Sequence, residues 1–182
     1  MRWRASRPAA AAALALSLGG CAGTHYLVAD TPVKIGRPYE VRGTWYYPAD
    51  DPTYDQIGYA SWYGRESGGV TANGERFRGA RYGAAHKTLP MPSYVEVTAL
   101  DSGRRIIVRV NDRGPFAPGR IIDLSEAAAE LLGIRRQGVA RVRVRRVYPD
   151  ERVRRELRSG HPAEPLPTLS NAALAALLTA QR

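Results

Sequence analysis

The sequence predicts a mainly β protein with one or two short helices. Three observations carry this. Between residues 58 and 148 several short segments alternate apolar and polar residues with a period of two, as half-buried strands do. Clusters such as Asp101-Ser102-Gly103 supply turn chemistry between them. Within the block only residues 127–132 form an uninterrupted run of helix formers.

The chain opens with an address. Arg2, Arg4 and Arg7 make a basic start, and residues 8–20 follow without a charge, mostly Ala and Leu. A spanning helix needs about 20 apolar residues, so this run is too short for an anchor and has the length of a signal-peptide core. It ends in Leu18-Gly19-Gly20-Cys21. This resembles the bacterial lipobox, with Leu three residues before the cysteine and a small residue just before it. Residues 1–20 are therefore expected to be a lipoprotein signal peptide, cut before Cys21, whose sulfur takes the lipid that anchors the chain to a membrane. Ala22 follows where an Asp would resemble the inner-membrane retention pattern, so the expected site is the outer membrane, facing the periplasm. An ordinary secretory signal with an incidental cysteine is the alternative. Residues 21–57 read as the lipidated N-terminus and an extended linker, whose Trp45, Tyr46 and Tyr47 can pack on a domain surface.

The central block, 58–148, is expected to be one domain. Residues 59–63 form a strand between Gly58 and Gly64. In 94–100, Val95, Val97 and Ala99 share one face and Glu96 and Thr98 the other. In 105–112, Ile106, Val108 and Val110 alternate with Ile107, Arg109 and Asn111, so these two segments read as a β-hairpin. A strand over 120–123 runs into the helix, which Ser125 caps, Glu126 favours at its positive end and Gly133 stops. Val142 and Val144 alternate with arginines in a last strand. Residues 149–182 read as a basic tail in which Pro162, Pro165 and Pro167 prevent regular structure, apart from a short helix near 169–180 capped by Ser170 or Asn171.

Charge and cysteine count exclude several functions. Of 27 basic residues 25 are Arg, giving a net charge of +10. Such an excess suits nucleic acid, membrane surfaces or acidic polymers, and an envelope address removes nucleic acid. One cysteine excludes a disulfide framework, and His25, His86 and His161 lie too far apart for a local metal motif. No nucleotide motif is present, so no metal or other cofactor is expected, and the chain is expected to be a monomer.

The chemistry-bearing segments are ASWYG at 60–64, TANGERF at 71–77, AAHKTLP at 84–90, VRVNDRGPF at 108–116 and GRIIDLS at 119–125. Asn73-Gly74 is a turn that presents Glu75. Asp112 and Asp123 each end a strand, where carboxylates can line one rim of a barrel or sandwich. A protonated carboxyl near a polar or charged partner is the usual apparatus for breaking a glycosidic bond. Trp62, Tyr63 and Phe116 can stack on sugar rings. Each residue also has a structural reading. Strand-end Asp caps turns or pairs with Arg, a lone His is commonly a hydrogen-bonded core group, and Trp62 and Tyr63 suit a core equally.

These segments, with GVARVRV at 138–144, resemble in wording and order the rare lipoprotein A family of envelope lipoproteins, over about half of the chain. The resemblance implies a six-stranded double-psi β-barrel and a lytic transglycosylase. Such an enzyme cleaves the β-1,4 bond between N-acetylmuramic acid and N-acetylglucosamine of peptidoglycan glycan strands, leaving a 1,6-anhydro product. It implies functional positions at Glu75, His86 and Asp112, with Asp123 a further acidic candidate. Asp112, at an apolar strand end, is expected to act as general acid and base. Asn73, Arg113, Tyr63, Trp62 and Phe116 are expected to contact sugars. Many members carry a C-terminal SPOR domain; none is expected here. A non-catalytic, expansin-like peptidoglycan binder and an envelope scaffold acting through the Arg-rich tail are the alternatives.

Overall fold

A computed structural model describes residues 28–64 and 69–180. The expected signal peptide, residues 1–20, and Cys21 lie outside the described residues. Eight strands and three short helices follow in order: β1 (Tyr39–Val41), β2 (Thr44–Tyr46), β3 (Asp55–Tyr63), β4 (Gly83–His86), β5 (Ser93–Ala99), β6 (Arg105–Asp112), β7 (Arg120–Ser125), α1 (Glu126–Leu132), β8 (Ala140–Val147), α2 (Glu151–Ser159) and α3 (Asn171–Ala180).

Six strands close a barrel in the order β3-β7-β4-β6-β5-β8. Two of its pairings, β3 with β7 and β4 with β6, are parallel. The others are antiparallel, including the expected hairpin of β5 with β6. The alternation seen in the sequence fills the interior: Val95, Val97, Val108, Val110, Ile122, Leu124, Val142 and Val144 have no exposed surface. The opposite face of β5 is also covered. Glu96 and Thr98 are buried because Arg145 donates to Glu96 at 2.8 Å and the Thr98 hydroxyl turns toward the same carboxylate. Outside the barrel, α1 is built as its caps require. The Ser125 hydroxyl accepts from the Ala128 N–H, and Gly133 closes the C-terminus at φ 87°.

The barrel is wider in sequence than 58–148. β3 starts at Asp55, where Asp55 pairs with Arg143 on β8. Residues 28–54 do not form a free extended linker but strap the barrel. Lys34 and Met91 exchange backbone hydrogen bonds, Ala49 N–H reaches the Thr88 carbonyl, and the Tyr39 hydroxyl donates to the Lys87 carbonyl at 2.7 Å. The strap includes a β1–β2 hairpin with a two-residue turn, Arg42-Gly43, both at positive φ, the geometry that matches strand twist.

The C-terminal region also differs from the expected tail. Pro162, Pro165 and Pro167 all follow α2, a helix bracketed by Asp150 as N-cap and Gly160 in the left-handed region. Leu157 buries against Tyr94 and Ala163 with Val153 packed beside it, so a run that charge alone marks as solvated has an apolar face on the barrel. The chain then lies along the β5–β6 turn: Leu166 N–H bonds the Arg105 carbonyl and Leu169 N–H the Gly103 carbonyl. Ser170 caps α3 through the Ala173 N–H.

Gly103 makes this docking possible. It sits at φ +71°, and a Cβ there would stand 2.4 Å from the Leu169 carbonyl oxygen. Gly103→Ala is therefore expected to displace residues 166–169, lowering stability by about 1–3 kcal/mol. Denaturant unfolding measures the loss, and limited proteolysis should show faster cleavage after residue 160.

Candidate active site

β4 is four residues long, and three of them are small: Gly83, Ala84 and Ala85. Its neighbours place two carboxyls beside it. Ala85 faces Asp112 of β6 on one side and Asp123 of β7 on the other. Two strand spacings, about 10 Å, therefore separate the backbones of the two acids. Each parallel pairing has a register shift near these positions, between Ala84 and Ala85 opposite β6 and between Tyr59 and Ala60 opposite β7. Such bulges re-aim side chains at barrel rims. The result is a groove of about 350 Å³, lined by both aspartates, Tyr63, Phe116, Arg42 and Arg120 among others, with Ala85 between the acids.

The two carboxyls differ in setting. Asp112 Oδ1 accepts from the Ala72 and Arg113 backbone N–H groups, each at 2.8 Å, and these two amides fix its direction. Asp123 is more deeply held. Ser61 donates to its Oδ1 at 2.8 Å and Arg120 approaches its Oδ2 at 3.3 Å. Burial pushes the Asp123 pKa above the usual carboxylate range, outweighing the opposite pull of Ser61, Arg120 and Lys87. The sequence expectation gave the proton-holding role to Asp112; the structure adds Asp123 as a second carboxyl suited to hold a proton. Tyr63 sits close to both. Burial first, then the charges of Asp112 and Asp123, push its phenol upward, so it stays a neutral hydroxyl.

The remaining expected site residues divide by the face of the strand or loop that carries them. Phe116 lines the groove and packs on Tyr39 and Tyr46 of the strap hairpin, with ring centroids 6.1 and 5.4 Å away. Arg113 borders the groove, but its guanidinium is spent on the Leu89 and Ile35 carbonyls, both at 2.6 Å, and the His86 carbonyl at 3.3 Å. It braces the strap against the β4–β5 loop rather than reaching for a sugar. Trp62 alternates with Tyr63 and so points elsewhere: its indole N–H donates to the Arg135 carbonyl, with the Arg135 guanidinium over its ring.

Glu75 and Asn73 lie behind the groove. Residues 69–77 form a small hairpin whose tip touches Asp112 through Ala72, while Glu75 faces away. Arg109 grips the Glu75 carboxylate at 2.7 and 2.9 Å, and Asn73 and Asn111 each donate to it at 2.9 Å. His86 is only 2 % exposed, with Tyr54 edge-on to its ring. Its Nδ1 accepts from the Thr88 and Leu89 N–H groups, which makes it the cap of the β4–β5 loop. Burial, then the charges of Arg113 and Lys87, lower its pKa to about 3, so it is a neutral imidazole. The structure thus joins Asp112, Asp123, Tyr63 and Phe116 in one groove and does not bring Glu75, Asn73, His86 or Trp62 into it.

Sequence reasoning missed Ser61, Arg120 and Arg42. Arg120 carried a signal, since it stands three residues before Asp123; Arg42 carried none, because only the strap's fold delivers it. Among the described residues no three His, Cys, Asp or Glu side chains converge on a metal position.

Crossed parallel pairs in a closed six-strand barrel, with an acid on each side of one short strand, define a double-psi β-barrel with a two-carboxyl groove. Residues 55–144 match the family model described as "Lytic transglycolase", and the barrel of this chain belongs to that family. The "Endolytic peptidoglycan transglycosylase RlpA" of Pseudomonas aeruginosa (strain UCBPP-PA14) is 55 % identical over 114 residues, 62 % of this chain and 33 % of that relative. The protein of the same description from Neisseria meningitidis serogroup B (strain ATCC BAA-335 / MC58) is 47 % identical over 141 residues, 71 % of this chain and 59 % of that relative. Among solved structures, the Streptomyces papain inhibitor aligns with a TM-score of 0.46 at 26 % identity, over 54 % of this chain and 100 % of that one. The chain spans between 33 % and 59 % of the length of these curated relatives.

The buried, neutral His86 has a measurable consequence. Its pKa falls on folding from 6.5 to about 3, so its contribution to stability is complete above pH 6.5 and is lost as pH falls toward 3. His86→Gln should cost about 1–3 kcal/mol at pH 7, the usual cost of a lost buried acceptor. It should also flatten the stability loss between those two pH values, as measured by denaturant midpoints.

Proposed function

We propose that this chain is a lytic transglycosylase of peptidoglycan, breaking the β-1,4 bond between N-acetylmuramic acid and N-acetylglucosamine and leaving a 1,6-anhydro end. The observation that carries the reading is the pair of carboxyls flanking Ala85, one raised by burial and the other held by backbone amides. Family membership of the barrel and the descriptions of its relatives support the same reaction.

The chemistry follows from the two settings. Asp123 carries the proton and donates it to the leaving glycosidic oxygen as the bond breaks. Asp112, as carboxylate, steadies the positive charge that develops at the anomeric carbon. It then takes the proton from the muramyl 6-hydroxyl as that oxygen closes on the same carbon. The leaving oxygen and the 6-hydroxyl occupy the same face of the ring, so acid and base must stand on one wall, as two strands flanking Ala85 allow. No water enters the products; Asp123 ends ionised and Asp112 protonated, and exchange with solvent restores both. Tyr63 and Phe116 offer apolar faces to the sugar rings. The expected acid at Asp112 is thereby reassigned as base, because desolvation acts on Asp123.

In the same reading the chain acts in the cell envelope as a monomer, held to the outer membrane by lipid on Cys21 and facing the periplasm. Palmitate labelling of cells should mark the wild-type chain and fail to mark Cys21→Ala.

The direct test is incubation with peptidoglycan glycan and mass spectrometry of the ends. Anhydro ends support the proposal; reducing ends, or binding without cleavage, overturn it. Asp112→Asn and Asp123→Asn should each lower the rate of anhydro product by about 100-fold or more, the scale of a lost acid or base. The wild-type rate should fall as pH rises through the raised Asp123 pKa, because the acid must be protonated.

A further inference from the structure

The β1–β2 hairpin of the strap has two faces. Alternation sends Tyr39 and its cross-strand partner Tyr46 to one, and Glu40 and its partner Trp45 to the other, with Tyr47 continuing the Trp45 face. The first face is occupied. Tyr39 and Tyr46 stack with ring centroids 5.3 Å apart, and both pack on Phe116 at the groove. The second face is open. Trp45 is 55 % and Tyr47 65 % exposed, with ring centroids 6.5 Å apart and 30° between their planes.

Single exposed aromatics are ordinary, but a pair in contact on an ordered element marks a binding surface. Elsewhere such rings carry a cation: Arg135 stands over Trp62 and Arg146 over Tyr148. Trp45 and Tyr47 have only each other among the described residues. Their support is fixed. The Tyr39 hydroxyl donates to the Lys87 carbonyl at 2.7 Å, and the Ala49 N–H to the Thr88 carbonyl at 3.1 Å. The rings are thus held in water on an ordered frame, which lowers the ordering cost of binding.

Position and chemistry select the occupant. Arg42, at the turn of the hairpin, lines the groove. Trp45 follows three residues later, about 10 Å along the strand. The open face therefore begins at the rim of the groove. A glycan strand longer than a groove of about 350 Å³ has to leave it past a rim. A pyranose ring carries C–H groups on its faces and hydroxyls around its edge. Aromatic rings suit the first and a carboxylate accepts from the second. Glu40 supplies that carboxylate: it stands directly across from Trp45, is exposed, and has no ion-pair partner among the described residues. A stable protein interface takes about 800 Å² from each partner, well beyond two rings and a carboxylate.

We infer that the outer face of the β1–β2 hairpin, Trp45 and Tyr47 with Glu40 beside them, is a second sugar-binding site that grips the glycan strand where it leaves the groove. This rests on the reading of the groove as a glycan site. The second site adds affinity for long strands and none for short ones, which fill the groove alone.

The test is equilibrium binding of the full chain carrying Asp112→Asn, so that strands stay uncut. The probes are peptide-free glycans of two lengths, a tetrasaccharide and a long strand. The long strand should bind about tenfold more tightly, the scale of an aromatic anchor. Adding Trp45→Ala and Tyr47→Ala should remove that gain and leave tetrasaccharide affinity and Tm unchanged. Adding Trp45→Phe and Tyr47→Phe instead should retain most of it. The long strand should also shift the tryptophan emission, and Trp45→Phe should abolish the shift. A gain with length that survives in the Ala double variant overturns the inference, as does equal affinity for the two probes. Sedimentation tests the rival occupant. If the chain forms a dimer that the Ala double variant dissociates, with both glycan affinities unchanged, the face belongs to a second copy and the inference fails. Failure of the groove reading appears separately, as a tetrasaccharide that does not bind and glycan that gains no anhydro ends from the wild-type chain.

Discussion

A guanidinium that is 3 % exposed needs polar partners in place of water, and Arg109 finds them in two segments distant in sequence, the strap and the 69–77 hairpin. Its Nε goes to Asp30 at 3.0 Å, its Nη1 to Glu75 and its Nη2 to the Ala29 carbonyl at 2.7 Å. Burial alone would raise Asp30, yet hydrogen bonds from Tyr94, Arg158 and Arg109 hold it below the ordinary range. The network thus fixes the strap, the 69–77 hairpin, β5, β6 and α2 to one another. Removing one partner from such a site commonly costs about 3–5 kcal/mol, because the charge left behind is buried and unpaired. Arg109 also stands three residues before Asp112. The hairpin that Glu75 holds in place is the one whose Ala72 amide orients Asp112, so the geometry of the groove depends on a bond made outside it.

The same accounting describes the whole charge distribution. The basic excess of the sequence concentrates in the last strand and the region after it, but most of it is answered in place. Arg143 faces Asp55, Arg145 faces Glu96, Arg146 faces Asp50, and Arg158 faces Asp30 and Glu151. Those pairs with an exposed member, such as Arg146 with Asp50 and Arg158 with Glu151, add little stability; the effect of the whole set is to leave the field of the molecule to the cations that remain. Those include Arg42 at the groove and the exposed Arg76 and Arg78 of the 69–77 hairpin.

The sequence made visible what period and caps encode. β5, β6 and β8 were legible because one face of each had to be apolar, and α1 because Ser125 and Gly133 are local signals. β4 was not: Gly83-Ala84-Ala85-His86 has no alternation of size or polarity, since its work is to leave room between two carboxyls. α2 was hidden under its charge, with only Val153 and Leu157 marking the face that packs on the barrel. The strap was illegible because its contacts are all long-range. In the groove, the strand reading of 59–63 already implied that Trp62 and Tyr63 could not both face it, whereas the inward turn of His86 depends on the amides of Thr88 and Leu89. The desolvated setting of Asp123 depends on burial, which neighbouring letters do not reveal.

The strap also changes how the molecule would carry load. Its contacts are spread from Val28 to Ala49, and the first strong one, Asp30 with Arg109, lies in the barrel wall. Tension applied at residue 28 meets ion pairs, backbone bridges and the Arg113 clamp in series before it can reach β3. The strap is riveted along its length rather than hinged at one point, so displacement at residue 28 arrives at the groove as a small strain distributed over many bonds.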